Sequence, residues 1–284
     1  LKELLRAAFV QFEKNQIATV DAEILLAHLL GVSRKQIHSQ GIELAEDGRE
    51  KISAEFADLI NQRLMGRPVQ YITGSAAFRY LDLEVGEGVL IPRPESELIV
   101  DRVIGVLNNA SDKDLAKAVI DLGAGSGALC IAIASEASLK GLKVSVVAVE
   151  KSAQAALWLN KNIAKYDLPI RVVVEDVESA LIDVKADLVV ANPPYIPDDE
   201  RLPAEVANFE PEIALRGGAV DGMAVPTQFI KAAARLLKPG GFFIMEHHEK
   251  QGELVRQAMA VEFSSVQTHA DLTGRDRFTS ATKR

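Results

Sequence analysis

A single cysteine, Cys130, stands in the 284 residues. That excludes an internal disulfide and a zinc site built on several cysteines. Its place on a predicted helix suits a small buried residue better than a nucleophile. Aromatic residues make up only 5% of the chain, and no aromatic-rich or basic recognition domain stands out. No apolar run approaches the roughly 18 residues needed to cross a bilayer, so no membrane association is expected. Positive charge is also short: 32 Lys and Arg against 40 Asp and Glu leave a net charge of −8. A tight grip on a bare phosphate backbone needs clustered Lys and Arg, so stable nucleic-acid binding is not expected and a basic protein partner fits better. The five histidines, His28, His38, His247, His248 and His269, show neither triad nor ligand spacing, and no metal is expected. The opening Leu1-Lys2-Glu3-Leu4-Leu5 does not read as a signal peptide, and a chain beginning at Leu is expected to have lost upstream residues. The composition is that of a soluble, cytoplasmic enzyme long enough for one large or two modest domains.

Hydrophobic periodicity divides the chain. Residues 1–70 read as a small helical domain. Ile24, Leu25, Leu29 and Leu30 mark one helix stopped by Gly31, Ser33 and Gln36 form a possible capping box, and Ile52, Phe56, Leu59, Ile60 and Leu64 mark another helix. Residues 71–94 read as a linker with a β-hairpin, alternating around Leu81, Leu83 and Val85, turning at Gly86-Glu87-Gly88 and resuming at Val89-Leu90-Ile91. From 95 to 284 strands and helices alternate, the mark of a doubly wound parallel sheet. Helices are predicted over 97–107, 128–137, 152–166, 223–237 and 251–260, and residues 266–271 and 278–282 are expected to close the sheet as an antiparallel pair.

What is there in concentrated form is Asn192-Pro193-Pro194-Tyr195, directly after the apolar run Asp187-Leu188-Val189-Val190-Ala191. Ligands of open α/β sheets bind outside the carboxyl ends of strands, where this tetrapeptide would sit. Consecutive prolines fix φ and remove two donors, which leaves carbonyl acceptors without local partners. With the Asn carbonyl and the Tyr ring, the segment suits a planar NH2 group, although a proline-rich turn would look the same in isolation. Upstream, Val119-Ile120-Asp121 leads into Gly123-Ala124-Gly125-Ser126-Gly127 and then a helix. Such glycines let backbone approach a ligand at a helix N-terminus, and Gly123, Gly125 and Ala128 also satisfy a dinucleotide fingerprint. Asp121 tips the balance, because a carboxylate is a poor neighbour for pyrophosphate and a good one for an ammonium or sulfonium group. Glu150 ends the next strand, where an acidic residue commonly accepts from ribose hydroxyls. Asp176 and Val177 follow a third strand, beside the expected adenine position. The expected cofactor is S-adenosylmethionine.

These motifs resemble the class I methyltransferases, and within them the release-factor glutamine methyltransferase family. Besides the glycine loop and Asn192 to Tyr195, the resemblance rests on Ile91-Pro92-Arg93-Pro94-Glu95-Ser96-Glu97, close to I-P-R-P-[DE]-T-E, and on Phe209-Glu210-Pro211, Asp221-Gly222, Pro239-Gly240-Gly241, Glu246 with Gln251-Gly252, and the tail from Asp271 to Arg277. Glu150 replaces the commoner Asp, Ser96 replaces Thr, and His248 stands where Gly is usual. The resemblance implies a class I methyltransferase fold: a doubly wound seven-stranded sheet with an antiparallel last pair, a small N-terminal helical domain and a linking hairpin. It implies as substrate the glutamine of the Gly-Gly-Gln motif in class 1 peptide chain release factors, methylated at its side-chain nitrogen, with the helical domain gripping the release factor.

A carboxamide nitrogen is a weak nucleophile, since its lone pair is shared with the carbonyl, so alignment is the main task. Asn192 and the Pro193 carbonyl are expected to accept the two amide hydrogens, Tyr195 to cover the amide face and Pro194 to keep the strand end rigid. Asn192 is also expected near the cofactor. Arg93 and Glu97 could line the substrate mouth or form structural ion pairs. Two other readings stay open: an amino-methyltransferase acting on adenine or guanine, which faces the same geometric problem and flips the base, and a non-catalytic protein binding an adenosine ligand.

Overall fold

The computed structural model describes residues 1–38, 46–110, 112 and 115–284. The chain falls into two compact units, one of Leu1–Ser75 with Leu202–Phe209, the other of Ala76–Arg201 with Glu210–Arg284.

The first unit is helical: α1 (Lys2–Lys14), α2 (Thr19–Leu30), α3 (Arg34–His38), α4 (Glu46–Leu64) and α5 (Val69–Thr73). Gly31, at φ 62°, terminates α2 in the left-handed conformation that glycine adopts without a Cβ penalty. The Gln36 side chain reaches back to the Ser33 N–H at 2.8 Å. This is half of the expected capping box; the Ser33 hydroxyl donates to the same Gln36 oxygen instead of accepting from the backbone. Leu5, Phe12, Leu25, Leu26, Phe56 and Ile60 form the core. At its edge the buried Arg63 donates to Asp21 at 2.8 Å and to Glu205 at 2.9 Å, so a segment distant in sequence belongs to this unit. Residues 39–45, within the stretch expected to be helical, lie outside the described residues.

Strands β1 (Ser75–Phe78) and β2 (Leu81–Glu84) form the expected hairpin, but one strand earlier than the sequence suggests. The turn is at Arg79-Tyr80. Arg79 holds a positive φ of 53°, fixed by its N–H to Glu97 at 2.9 Å and its guanidinium to Glu136 and Asp101. Glu97 is thereby a structural partner of the hairpin. The segment at Gly86 to Gly88 is instead held on a helix: the Glu87 carbonyl accepts from Trp158 Nε1 at 3.2 Å and Gln154 Nε2 at 3.3 Å.

The remaining elements are a 3-10 turn at Pro94–Ser96, then α6 (Glu97–Asn109), β3 (Lys117–Leu122), α7 (Ala128–Leu139), β4 (Val144–Val149), α8 (Ala153–Tyr166), β5 (Ile170–Val173), β6 (Ala186–Ala191), α9 (Ala204–Phe209), a second 3-10 turn at Glu212–Ala214, α10 (Ala224–Leu236), β7 (Leu237–Glu246), α11 (Gly252–Met259), β8 (Phe263–Ala270) and β9 (Asp276–Lys283). Seven strands form one sheet in the order β5-β4-β3-β6-β7-β9-β8. The first five pair in parallel, and β9 runs antiparallel to both β7 and β8. Strand alternation sorts the core. Val119, Val146, Leu188 and Ile244 face α6 and α7, while Ile120, Val189 and Phe243 face α10 and α11. The chain winds outward from β3 through β4 to β5 and then returns to the other side of β3 as β6. This reversal is a topological switch point, where a doubly wound sheet opens a crevice at its strand ends.

At Gly86 an added Cβ would lie 2.5 Å from the Trp158 ring. Gly86→Ala should therefore cost about 1–3 kcal/mol by overpacking. It should also alter the emission of Trp158, the only tryptophan. Urea unfolding followed by fluorescence checks both; an unchanged midpoint and spectrum would mean the loop yields freely.

Candidate active site

Three strand ends meet at the switch point. Asp121 on β3 stands in register with Ala148 of β4 and Val190 of β6, so the glycine loop, Glu150 and Asn192 emerge side by side. They wall a cavity of about 670 Å³. Its lining includes Arg93, Asp121, Gly123, Ala124, Gly125, Ser126, Glu150, Asp176, Val177, Asn192 and Pro194, all named from the sequence. Gly127, Pro193 and Tyr195 do not line it. Gly127 is needed for packing: an added Cβ would meet Ile131 and Leu159 at under 3 Å. Gly125 faces open space, and at φ 56° it brings bare backbone to the cavity.

The glycine loop is held from both sides. Gly123 and Ala124 donate to the Val149 carbonyl at 2.9 and 3.0 Å, and Gly125 donates to Glu150 at 2.8 Å. The fully buried Asn162 side chain on α8 donates to the Ser126 and Glu84 carbonyls and accepts from the Glu84 N–H. Nothing in the spacing of Asn162 distinguishes it from a solvated polar helix residue, so the sequence offered no signal for it.

The carboxylates differ in their surroundings. Asp121 is almost fully buried; its Oδ2 accepts from the Cys130 N–H at 3.1 Å, and its Oδ1 is buried with no partner among the described residues. Burial, with the charge of Glu150 adding to it, pushes the Asp121 carboxyl up to about 7. Such an orphan acceptor beside an open glycine loop fits a cationic ligand group. Glu150 takes one backbone N–H on each oxygen, from Gly125 and from Ser152 at 2.7 Å. Burial still raises it above the usual carboxylate range. Its second lone pairs are the ones left for hydroxyl donors. Asp176 is held below the usual range by the Glu178 N–H and then by Lys151, 3.2 Å away.

At the end of β6, Asn192 donates from Nδ2 to the Ser96 hydroxyl at 3.0 Å, while its Oδ1 meets no protein donor among the described residues. The Pro193 carbonyl likewise receives no backbone N–H among them. The Tyr195 hydroxyl donates to Glu246 at 3.0 Å. Its pKa lies well above that of an ordinary tyrosine, because of burial first and Glu246 second. Gln251 clasps the exit of this segment, donating to the Tyr195 and Asp221 carbonyls at 2.9 and 2.7 Å and accepting from the His248 N–H at 3.0 Å. The His248 ring, at the position where the motif resemblance expects a glycine, sits 3.4 Å from Glu200. Arg93 borders the cavity yet is paired with Glu210 at 2.5 Å, and Glu210 also accepts the Ile91 N–H at 3.1 Å. One carboxylate thus pins the whole segment from Ile91 to Arg93.

Among the described residues no helix is long and apolar enough to cross a membrane.

Residues 96–209 match the model of the methyltransferase small domain, and residues 3–74 that of the PrmC N-terminal domain. Among solved structures, a T. thermophilus 16S rRNA methyltransferase in complex with AdoMet and guanosine is similar at TM-score 0.51 and 24% identity, over 74% of this chain and 50% of that one. A methyltransferase from Pyrococcus furiosus gives TM-score 0.50 at 17% identity, over 80% and 98%. Both likenesses concern the fold. Curated relatives speak to the family. Release factor glutamine methyltransferases of Bifidobacterium longum and Corynebacterium glutamicum are 37% and 34% identical, covering 98% and 100% of this chain and 98% and 99% of theirs. That of Mycobacterium tuberculosis is 34% identical over 98% of this chain and 89% of its own. Likeness of this depth along nearly the whole of each chain means that the protein belongs to the release factor glutamine methyltransferase family.

Proposed function

We propose that this protein transfers a methyl group from S-adenosylmethionine to the side-chain amide nitrogen of the glutamine in the Gly-Gly-Gln motif of class 1 peptide chain release factors, in the cytoplasm. Residues 1–70 serve as the recognition domain for the release factor and 95–284 carry the chemistry. The observation that supports it best is the Asn192 carboxamide, anchored by its NH2 so that its oxygen is left without a donor among the described residues.

Bound S-adenosylmethionine supplies a methyl group activated by its sulfonium. Asp121 holds the cofactor's ammonium group with the oxygen that has no partner among the described residues. Glu150 takes the ribose hydroxyls, the glycine loop lies against the cofactor, and Asp176 and Val177 border the base. Asn192 Oδ1 and the Pro193 carbonyl accept the two hydrogens of the substrate amide. These acceptors turn the nitrogen toward the methyl and stabilise the positive charge that grows on it. Tyr195 covers the amide, Pro194 stiffens the strand end, and Arg93 borders the substrate mouth. The proton leaves to water after transfer, so no general base is assigned.

Asp121 gives this scheme a pH signature. Its folded-state pKa of about 7 exceeds the ordinary 3.8, so its contribution to stability is complete below the lower value and is lost as pH rises through the upper one. Asp121→Asn should stabilise the cofactor-free protein at pH 8 by roughly 2–4 kcal/mol, and the gain should vanish toward pH 4. The same variant should bind S-adenosylmethionine about ten- to hundredfold more weakly. Thermal melts across pH and calorimetry check both; equal cofactor affinity would remove Asp121 from the site.

Asn192→Ala should lose roughly 2–4 kcal/mol of transition-state stabilisation, about thirty- to a thousandfold in single-turnover rate at saturating cofactor. The loss of cofactor affinity should be the smaller effect in free energy. A rate within about threefold of wild type would end the catalytic assignment.

The reaction itself is tested by incubating the protein with labelled S-adenosylmethionine and, separately, a release factor, total RNA and duplex DNA. Label is expected on the release-factor glutamine. Label on RNA or DNA alone would establish the amino-methyltransferase reading instead.

A further inference from the structure

Asn192 is useful to an amide NH2 only with its oxygen toward the substrate, and a carboxamide has two nearly isosteric flips. With Nδ2 facing the cavity, two NH2 groups would confront one another. Something must choose, and the choice is visible in the neighbours. Parallel pairing of β6 with β7 sets Ala191 opposite Met245, so Asn192 and Glu246 leave the sheet as adjacent strand ends. Ser96, at the end of the Pro94–Ser96 turn, stands between them. Its hydroxyl accepts from Asn192 Nδ2 at 3.0 Å and donates to Glu246 Oε2 at 2.5 Å, while Tyr195 donates to Glu246 Oε1 at 3.0 Å. Ser96, which borders the cavity, is 3% exposed and Glu246 1%, so both are largely shielded from bulk water.

We propose that Ser96 is a positioning residue which, with its one proton committed to Glu246, fixes the flip of the Asn192 carboxamide. The polarity runs in one direction. Burial raises the Glu246 pKa above its ordinary value, while the Ser96 and Tyr195 hydroxyls and the Arg277 charge favour its ionised form. In that form the carboxylate only accepts, and both its oxygens are occupied by hydroxyl donors. Ser96 therefore has no proton left for Asn192 and presents only lone pairs. The sole group of Asn192 that satisfies them is its NH2, which sends Oδ1 to the other side. The same carboxylate fixes the Tyr195 hydroxyl directly, so both polar side chains of the tetrapeptide take their orientation from one residue on the neighbouring strand. The segment from Ile91 to Arg93, tied to Glu210, gains a purpose here: it leads into the turn that delivers Ser96 to this point.

This inference rests on the amide-methylating activity proposed above, and the test separates the two. Wild type, Ser96→Ala, Ser96→Thr, Glu246→Gln, Asn192→Ala and the Ser96→Ala/Asn192→Ala double variant are compared in single-turnover methylation of a release factor at saturating cofactor. S-adenosylhomocysteine affinity by calorimetry and melting temperature are measured alongside. Failure of wild type to label the release factor would sink the activity itself. Given that activity, Ser96→Ala should slow the step by about tenfold or more while cofactor affinity stays within about twofold. Ser96→Thr keeps the hydroxyl, as in the motif this segment resembles, and should recover to within about threefold of wild type. Glu246→Gln keeps the shape but adds a donor that scrambles the polarity, and should match the Ser96→Ala loss. Because Ser96 acts through Asn192, the double variant should be no slower than Asn192→Ala, within about twofold. Multiplicative losses in the double variant, a Ser96→Ala rate within about threefold of wild type, or a parallel fall in cofactor affinity would overturn the proposal.

Discussion

Residues Val119 to Leu122 lie beside Leu188 to Ala191 in parallel register, although some 60 residues of strand and helix separate them in the chain. Everything at the site depends on that pairing. The chain between them has already built β4 and β5 on the far side of β3, so β6 returns to the one free flank and opens the crevice where the winding reverses. The crevice is bordered on one side by the ends of β3 and β4, with Asp121 and Glu150, and on the other by the end of β6, with Asn192. A one-residue slip of β6 against β3 would put Asn192 and Asp121 on opposite faces, because side chains alternate between faces. Burial of Ile120, Leu188, Val189 and Val190 makes such a slip costly.

Within this frame the polar groups fall into two kinds. Glu246, Asn162, Gln251 and Glu210 are buried and satisfied; each ties together segments distant in sequence. Asp121 is buried and half satisfied. A desolvated carboxylate whose pKa has risen to about 7 destabilises the protein when ionised, and a cation from outside relieves that cost. The protein thus holds one group ready at some loss of stability and uses several others for rigidity. In the proposed reaction the prolines after Asn192 would serve the same end, a stiff strand end keeping acceptors aimed at a weak nucleophile with little reorganisation.

Much of this was legible in the residues. The alternation of apolar strands with amphipathic helices after residue 95 specified the parallel sheet, because buried parallel strands read as continuous runs such as Leu188 to Ala191. The final antiparallel pair and the strand-end carboxylates followed from the same pattern. Of the linking hairpin expected over 78–91, the strand at Leu81 to Glu84 is there, but its partner is Ser75 to Phe78 before it, not Val89 to Ile91 after it. Gly86 to Gly88 do form a turn, with the Val89 N–H on the Gly86 carbonyl at 3.4 Å, but it lies against Trp158 and Gln154, whereas the hairpin's turn uses Arg79, a residue with no turn signature. Tyr195 and Pro193, read as site residues from the tetrapeptide alone, follow Asn192 and Pro194 at the cavity's edge without being among its lining residues. Ser96 registered only as a departure from a motif. Its link to Asn192 and Glu246 spans 96 and 150 residues, and no local pattern encodes a contact of that range.

The most direct measurement is a crystal structure of the protein with S-adenosylhomocysteine and a release factor carrying the Gly-Gly-Gln loop. The glutamine nitrogen should lie about 3 Å from both Asn192 Oδ1 and the Pro193 carbonyl, with the homocysteine ammonium against Asp121. A glutamine amide seated away from Asn192, or a cofactor whose ammonium leaves Asp121 Oδ1 unpaired, would contradict the account at its centre.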